Sequence, residues 1–175
     1  YIIFTIIQAK ADQRLRVIER WIQIMDAAAE VINYQLVFEI YSALCSPAVS
    51  NDDIWNNLST DTKNLYKKYS LLTAPSARFA NYRKHLQQHP PQTVVPYIGP
   101  FLTSLVYISD GNPSKKRLPD VKDPVINFQK FQAYAKVLDD ILAPWGKDMV
   151  FYLNDDLVKT IQTIPIVDQG ELFKR

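Results

Sequence analysis

At 175 residues, 47% of them apolar, and with a formal net charge of +2, the chain can bury a sizeable core. The same figures exclude an intrinsically disordered segment and a strongly basic nucleic-acid binder. A single cysteine, Cys45, excludes an internal disulfide and permits a reducing compartment.

Residues 1–7 are apolar but lack a basic leading region and a small-residue cleavage site, so they are not a signal peptide. They fall far short of the ~20 residues needed to cross a bilayer, and no membrane segment is expected. From 12 to 33, Leu15, Ile18, Ile22, Met25, Ala29 and Ile32 recur at spacings of three and four, which predicts an amphipathic helix. A second helix is expected over 35–44, with Cys45 beside it as a small buried side chain. Pro47 and the run Ser50-Asn51-Asp52-Asp53 break it, and Asp52 or Asp53 caps a short turn through Trp55 and Leu58. Ser59-Thr60-Asp61 starts a helix carrying Leu65, Tyr66, Tyr69 and Leu72. Pro75 fits the first turn of another over 76–88, closed by His89-Pro90-Pro91.

Pro96 suits a helix start, with Pro100 inside the opening turn. Phe101, Leu102, Leu105 and Ile108 give this helix an apolar face, and Asp110-Gly111-Asn112-Pro113 reads as its stop followed by a turn. A charged loop over 109–124 follows, and Pro124 opens a helix carrying Ile126, Phe128, Phe131, Tyr134, Val137, Leu138, Ile141 and Leu142. Pro144 and Gly146 end it. Shorter helices are expected over 149–153 and 155–163, then a last segment with Leu172 and Phe173. Strand signals are scarce. The fold class is all-α, read as one domain.

Most polar clusters have bland readings. His85 and His89 are too few for zinc or general-base chemistry and read as surface residues. Lys115-Lys116-Arg117 reads as a solvated loop. Asp139-Asp140 and Asp155-Asp156 read as helix-surface or capping acids. No glycine-rich phosphate loop occurs, so the chain itself should not hold a nucleotide strongly. The stretch 97–113 stands apart, because a lone carboxylate, Asp110, follows an apolar helical flank. Spacing alone leaves two readings open. One is ordinary core with a local aspartate turn; the other is a wedge for a partner.

The wording of that stretch resembles the catalytic domain of Ras-type guanine-nucleotide exchange factors, the Sos-like or RasGEF family. The resemblance rests on Pro96-Tyr97-Ile98-Gly99-Pro100-Phe101-Leu102-Thr103-Ser104-Leu105, then Asp110-Gly111-Asn112-Pro113, then Ile126-Asn127-Phe128. Gln13-Arg14-Leu15 through Arg20, Ile32-Asn33-Tyr34, Ser42-Ala43-Leu44 and Tyr82-Arg83 extend it in order over nearly the whole chain. It implies one RasGEF-like multi-helix catalytic domain over 1–175, with the family's first helices upstream of Tyr1 and a protruding helical hairpin over about 96–137.

The family's hairpin enters the nucleotide site of a Ras-superfamily small GTPase. Matched residue by residue, Val106 takes the apolar position that occupies the magnesium region, and Asp110 takes the acidic position facing phosphate-loop groups. The family most often has leucine and glutamate there, so both side chains here are shorter. The resemblance assigns GTPase contact to Met25, Ile32, Asn33, Phe79, Tyr97, Phe101, Leu102 and Thr103. Met25, Phe79 and Tyr97 stand as walls of a pocket for a partner aromatic; spacing alone reads all three as core. Ile32 replaces an asparagine common in the family, and Ser50 an arginine.

The implied activity is GDP release from a Ras-superfamily GTPase whose nucleotide-free form is bound most tightly, without covalent chemistry, cofactor or metal. The competing reading is an exchange-inactive helical module that binds a GTPase or acts as a scaffold. An unrelated helical enzyme finds no convergent acid-base or nucleophile set. No nucleic-acid partner is expected. The expected location is cytoplasmic, with recruitment to membranes left to regions outside the chain.

Overall fold

The computed structural model describes residues 1–50, 53–144 and 154–164, with the backbone alone at residue 92. The all-α class holds: among these residues nine α-helices account for most of the chain, and one two-residue ladder is the only sheet. The chain divides into two compact units, Tyr1–Ala74 with Asp148–Arg175, and Pro75–Lys147. Each is described by itself.

The first unit is built around α2 (Ala11–Glu30), which packs against α1 (Ile2–Gln8), α3 (Tyr34–Leu44) and α5 (Thr60–Leu72). Ile18, Ile22 and Met25 of α2 are buried at the spacings of three and four that the sequence shows, and Ala28, not the expected Ala29, continues the buried stripe. Val37, Ile40 and Leu44 of α3 are also fully buried. Each large aliphatic side chain buried this way contributes about 1.5–3 kcal/mol. Thr5 Oγ1 accepts a 2.9 Å bond from Trp21 Nε1, tying α1 to α2. Ser59 caps α5 by accepting from Thr62 N at 3.2 Å, as its sequence position predicts.

Several expectations are corrected in this unit. The helix expected over 12–33 ends at Glu30, for a reason given below. Cys45 is exposed, not buried, because it is the C-cap of α3 and lies past that helix's buried stripe. Its thiol stands 3.5 Å from the Tyr66 hydroxyl, beside the stacked rings of Tyr41 and Tyr66. Pro47 breaks α3 but also opens one helical turn, α4 (Pro47–Ser50), since proline suits a first helical position. A 3-10 turn, Asp53–Asn57, follows, and Trp55 Nε1 donates to Val49 O at 2.8 Å. The expected helix over 149–153, Leu172 and Phe173 lie outside the described residues. α9 (Asp155–Gln162) follows its expectation, capped by Asn154, whose Oδ1 accepts from Asp156 N and Leu157 N.

The second unit starts with α6 (Ser76–Leu86), whose first turn is left-handed at Ala77, Arg78 and Phe79 (φ +48° to +59°). This departs from the regular helix expected over 76–88. A 3-10 turn, Pro91–Thr93, leads to α7 (Gly99–Gly111), which begins three residues after Pro96 and runs through Ser109 and Asp110. The expected loop is therefore shorter. An antiparallel ladder closes it, β1 (Lys115–Lys116) inside the expected loop with β2 (Val125–Ile126) just beyond it, pairing Lys115 with Ile126. α8 (Phe128–Leu142) starts two residues beyond Ile126, because the ladder claims Val125 and Ile126. Among the described residues no helix is long and apolar enough to cross a membrane.

One polar cluster on α2 and α5 is sensitive to pH. The buried Tyr69 hydroxyl donates to Asp26 Oδ1, and Lys68 Nζ lies 3.1 Å from the same oxygen. Tyr69's bond first, then Lys68's bond and charge, hold the Asp26 carboxyl below its ordinary value of 3.8 against an opposing effect of burial. Burial and the bond to Asp26 push Tyr69 up to about 12, so the phenol keeps its proton to donate. A carboxyl depressed by folding stabilises above its unfolded pKa and loses that contribution as pH falls through the folded value. Tyr69→Phe should therefore cost about 2 kcal/mol at pH 7, and the gap to the parent should shrink as pH drops below about 4. Urea unfolding across that pH range measures both.

Candidate functional site

The second unit presents a helical hairpin, with α7 and α8 as antiparallel arms and the β ladder between them. The antiparallel sense follows from its two ends. At one end Phe101 and Ser104 of α7 share a cleft of about 500 Å³ with Val137 and Asp140 of α8. At the other end Lys130 near the start of α8 reaches the last carbonyls of α7. Arg83 and Lys136 also line the cleft.

α7 has two apolar faces. Phe101, Leu105 and Ile108 are half-buried, whereas Leu102 and Val106 are 50% and 56% exposed. Leu102, Val106 and Asp110 recur at i, i+4 and i+8, one line down the helix surface. Thr103 and Tyr107 flank that line and are also exposed. Thr103 Oγ1 donates to Gly99 O at 3.0 Å, so its hydroxyl is satisfied within the helix. The outward line therefore offers two aliphatic groups and then a carboxylate.

The α7 start is fixed from α6. The fully buried Tyr82 places its hydroxyl between two groups of Tyr97, accepting from the amide at 2.7 Å and donating to the carbonyl at 3.2 Å. The Phe79 and Tyr97 rings meet edge to face at 6.3 Å, and Tyr82 and Tyr97 do so at 6.4 Å. A Cβ at Gly99 would sit 2.5 Å from Cζ of the same ring, so the ring in this position packs against a residue without a side chain. Spacing showed the apolar character of Phe79 and Tyr97, but not that Tyr82 joins them.

The far end of the hairpin is held by polar bonds. Asn127, almost wholly buried, donates from Nδ2 to Pro113 O at 2.9 Å, and its amide donates to Ser114 O at 2.9 Å. Asn112 Nδ2 donates to Ile108 O at 3.2 Å. Lys130 donates to Ser109 O at 3.0 Å and Asn112 O at 2.6 Å. The last four carbonyls of a helix have no partner within it, and these side chains satisfy some of them. Sequence reading missed Lys130, because a lysine in a helix gives no sign that it is buried.

Met25, Ile32 and Asn33 belong to the first unit. Met25 lies on the buried stripe of α2. Ile32 and Asn33 form the turn that ends α2. Asn33 N donates to Ala28 O at 2.8 Å and Ile32 N to Ala29 O at 3.0 Å, the double closure of a Schellman motif. Its C′ residue must be left-handed, and Ile32 is, at φ +58°. This backbone demand is what stops the helix at Glu30. Asn33 then caps α3 by accepting from Leu36 N at 3.1 Å. Among the described residues no three His, Cys, Asp or Glu side chains gather as a metal site.

Comparison with known proteins shows which family the chain is similar to. A family model described as the RasGEF domain matches residues 1–132. Ras-specific guanine nucleotide-releasing factor 1 of Mus musculus is 32% identical over 129 residues, 73% of this chain and 10% of that protein. Ras-specific guanine nucleotide-releasing factor 2 of Rattus norvegicus is 31% identical over 172 residues, 95% of this chain and 14% of that protein. Cyclic GMP-binding protein D of Dictyostelium discoideum is 34% identical over 105 residues, 59% of this chain and 8% of that protein. The chain thus spans about a tenth of the length of the curated relatives it matches.

The turn at Ile32 generates a prediction. A β-branched side chain in the left-handed region costs about 1–2 kcal/mol, and asparagine tolerates that region better. Ile32→Asn should therefore raise stability by about 1 kcal/mol in urea unfolding, because the strain relieved at φ +58° outweighs the packing of a half-buried isoleucine.

Proposed function

Because the chain belongs to the RasGEF domain family, we propose that it promotes GDP release from a Ras-family GTPase, with the α7–α8 hairpin as the inserted element. Residues 1–175 act as one catalytic domain in this reading. The observation that carries it is the outward line Leu102–Val106–Asp110, aliphatic groups facing solvent with a carboxylate at the end of the helix.

The chemistry is competition. Magnesium at the nucleotide is a hard cation that needs oxygen ligands. Val106 offers none, and a hydrocarbon in that space keeps the ion out. Without the ion, phosphate charge is uncompensated and the nucleotide is held less tightly. Asp110 accepts hydrogen bonds from phosphate-loop donors that would otherwise serve phosphate, and its charge repels phosphate from the same place. Leu102 and Thr103 extend the contact along α7. Phe101, the Phe79–Tyr97 pair, Ile32 and Asn33 complete the GTPase-binding set, whereas Met25, also expected there, is fully buried in the first unit and offers no surface to a partner.

A nucleotide bound at picomolar affinity is held by ~16 kcal/mol, and no single contact need supply that. The factor has only to bind the empty GTPase better than the loaded one. Reciprocity then lets incoming nucleotide expel the factor. Val106 and Asp110 are each about one carbon shorter than the leucine and glutamate usual at these positions, so the helix itself must approach correspondingly closer.

The test loads a panel of Ras, Rap, Ral and Rab GTPases with a fluorescent GDP analogue and adds the protein. Accelerated release from at least one member is expected. Val106→Asp with Asp110→Lys should reduce that acceleration by about a hundredfold, because it places an oxygen ligand near the magnesium region and a cation near the phosphate loop. Binding without accelerated release would instead support the exchange-inactive module. No binding to any member would overturn both readings.

A further inference from the structure

Lys130 is a charged residue where charge is costly. It is only 7% exposed, yet its ammonium has three neutral partners: Ser109 O at 3.0 Å, Asn112 O at 2.6 Å and Ser114 Oγ at 3.4 Å. Its Nζ also lies 5.9 Å from the centre of the Tyr134 ring. Withdrawing an ammonium from water is expensive, and an apolar side chain at such a site often gives equal or better stability. The charge must therefore supply something that packing does not.

What it supplies is position. Carbonyls at the C-terminal end of a helix carry its negative pole, and a cation there is attracted by the dipole and by each oxygen. The two gripped carbonyls belong to Ser109 and Asn112, and Asp110 lies between them in the chain. The last turn of a helix ordinarily frays. Here it is tied to α8 on both sides of the carboxylate, and Asn127 ties the following residues through Pro113 O and Ser114 O.

We infer that Lys130 is a positioning residue, whose ammonium fixes the C-terminal turn of α7 so that Asp110 meets its target without first paying the entropy of ordering that turn. This rests on the exchange reading of the site. It adds a residue on the opposite arm whose role is exerted through Asp110 and not by contact with the GTPase. Fixing the carboxylate in advance should appear in the maximal rate of GDP release, since misplacement by about 1 Å can cost about a hundredfold in rate. Encounter with the GTPase depends on the exposed Leu102 and Val106 and should change little.

The experiment compares the parent protein with Lys130→Met and Lys130→Arg in two measurements. The first is amide hydrogen exchange in the free protein, followed over residues 108–112 and, as a control for folding, over α2 and α3. Lys130→Met should speed exchange at 108–112 by about tenfold and leave α2 and α3 unchanged, whereas Lys130→Arg, which keeps the charge, should stay close to the parent. The second is release of the fluorescent GDP analogue from a GTPase on which the parent acts. Lys130→Met should lower the maximal rate by about tenfold or more with less than about a twofold change in the half-saturating concentration, and Lys130→Arg should restore most of that rate. If Lys130→Met does not fold, Lys130→Gln, which keeps two amide donors without the charge, replaces it in both arms. Unchanged exchange at 108–112 overturns the inference. So does a loosened turn with an undiminished maximal rate. A loosened turn in a protein whose parent form accelerates no GTPase overturns the exchange reading while supporting the clamp.

Discussion

A two-helix hairpin has one internal interface, and that limit shapes the second unit. α7 carries more apolar surface than α8 and the residues around its base can cover. Phe101, Leu105 and Ile108 use the covered side. Leu102, Val106 and Tyr107 are left facing water. Exposed aliphatic groups on a regular line, ending in a carboxylate, are costly for a free helix and useful for one that meets a partner. A helix with that composition also needs its ends fixed by something other than a core.

Those fixings are polar and come from the neighbours in sequence. At the base, the Tyr82 hydroxyl takes both backbone groups of Tyr97, and the Tyr97 ring lies against Gly99. At the far end, Lys130 and Asn127 take the carbonyls that α7 and the following turn leave over. Buried polar groups of this kind are expensive unless fully paired, so each end is specified more sharply than hydrophobic contact alone would achieve. The same logic holds in the first unit at smaller scale, where Tyr69 and Lys68 converge on one oxygen of Asp26.

How much of this the sequence revealed depends on the kind of interaction. The buried stripe of α2 and the Ser59 cap of α5 were legible, because periodicity and capping are local. Asp110 was legible as a lone acid at the end of an apolar flank, though only family resemblance gave it a role. The end of α2 was not legible, since Ile32 is a poor residue for the left-handed turn it occupies. Cys45 was misjudged because a residue one step past a helix inherits its neighbours' apolar character but not their burial. The ladder that delays α8 pairs Lys115 with Ile126 and Lys116 with Val125 across a charged loop, and nothing in Lys115 or Lys116 announces a strand. Lys130 was invisible for the most general reason: burial of a charge is decided by which carbonyls surround it, and these lie 18 and 21 residues earlier.

The central claim is that the hairpin competes with nucleotide and magnesium for one space. The most direct measurement is the affinity of the protein for a single Ras-family GTPase in two states, nucleotide-free and loaded with GDP and magnesium. By linkage, the ratio of the two affinities equals the factor by which the protein weakens GDP binding. The account requires much tighter binding to the nucleotide-free state, and a ratio that falls toward one when Asp110 and Val106 are both replaced. Equal affinity for the two states would contradict it, because a protein with no preference between them displaces nothing.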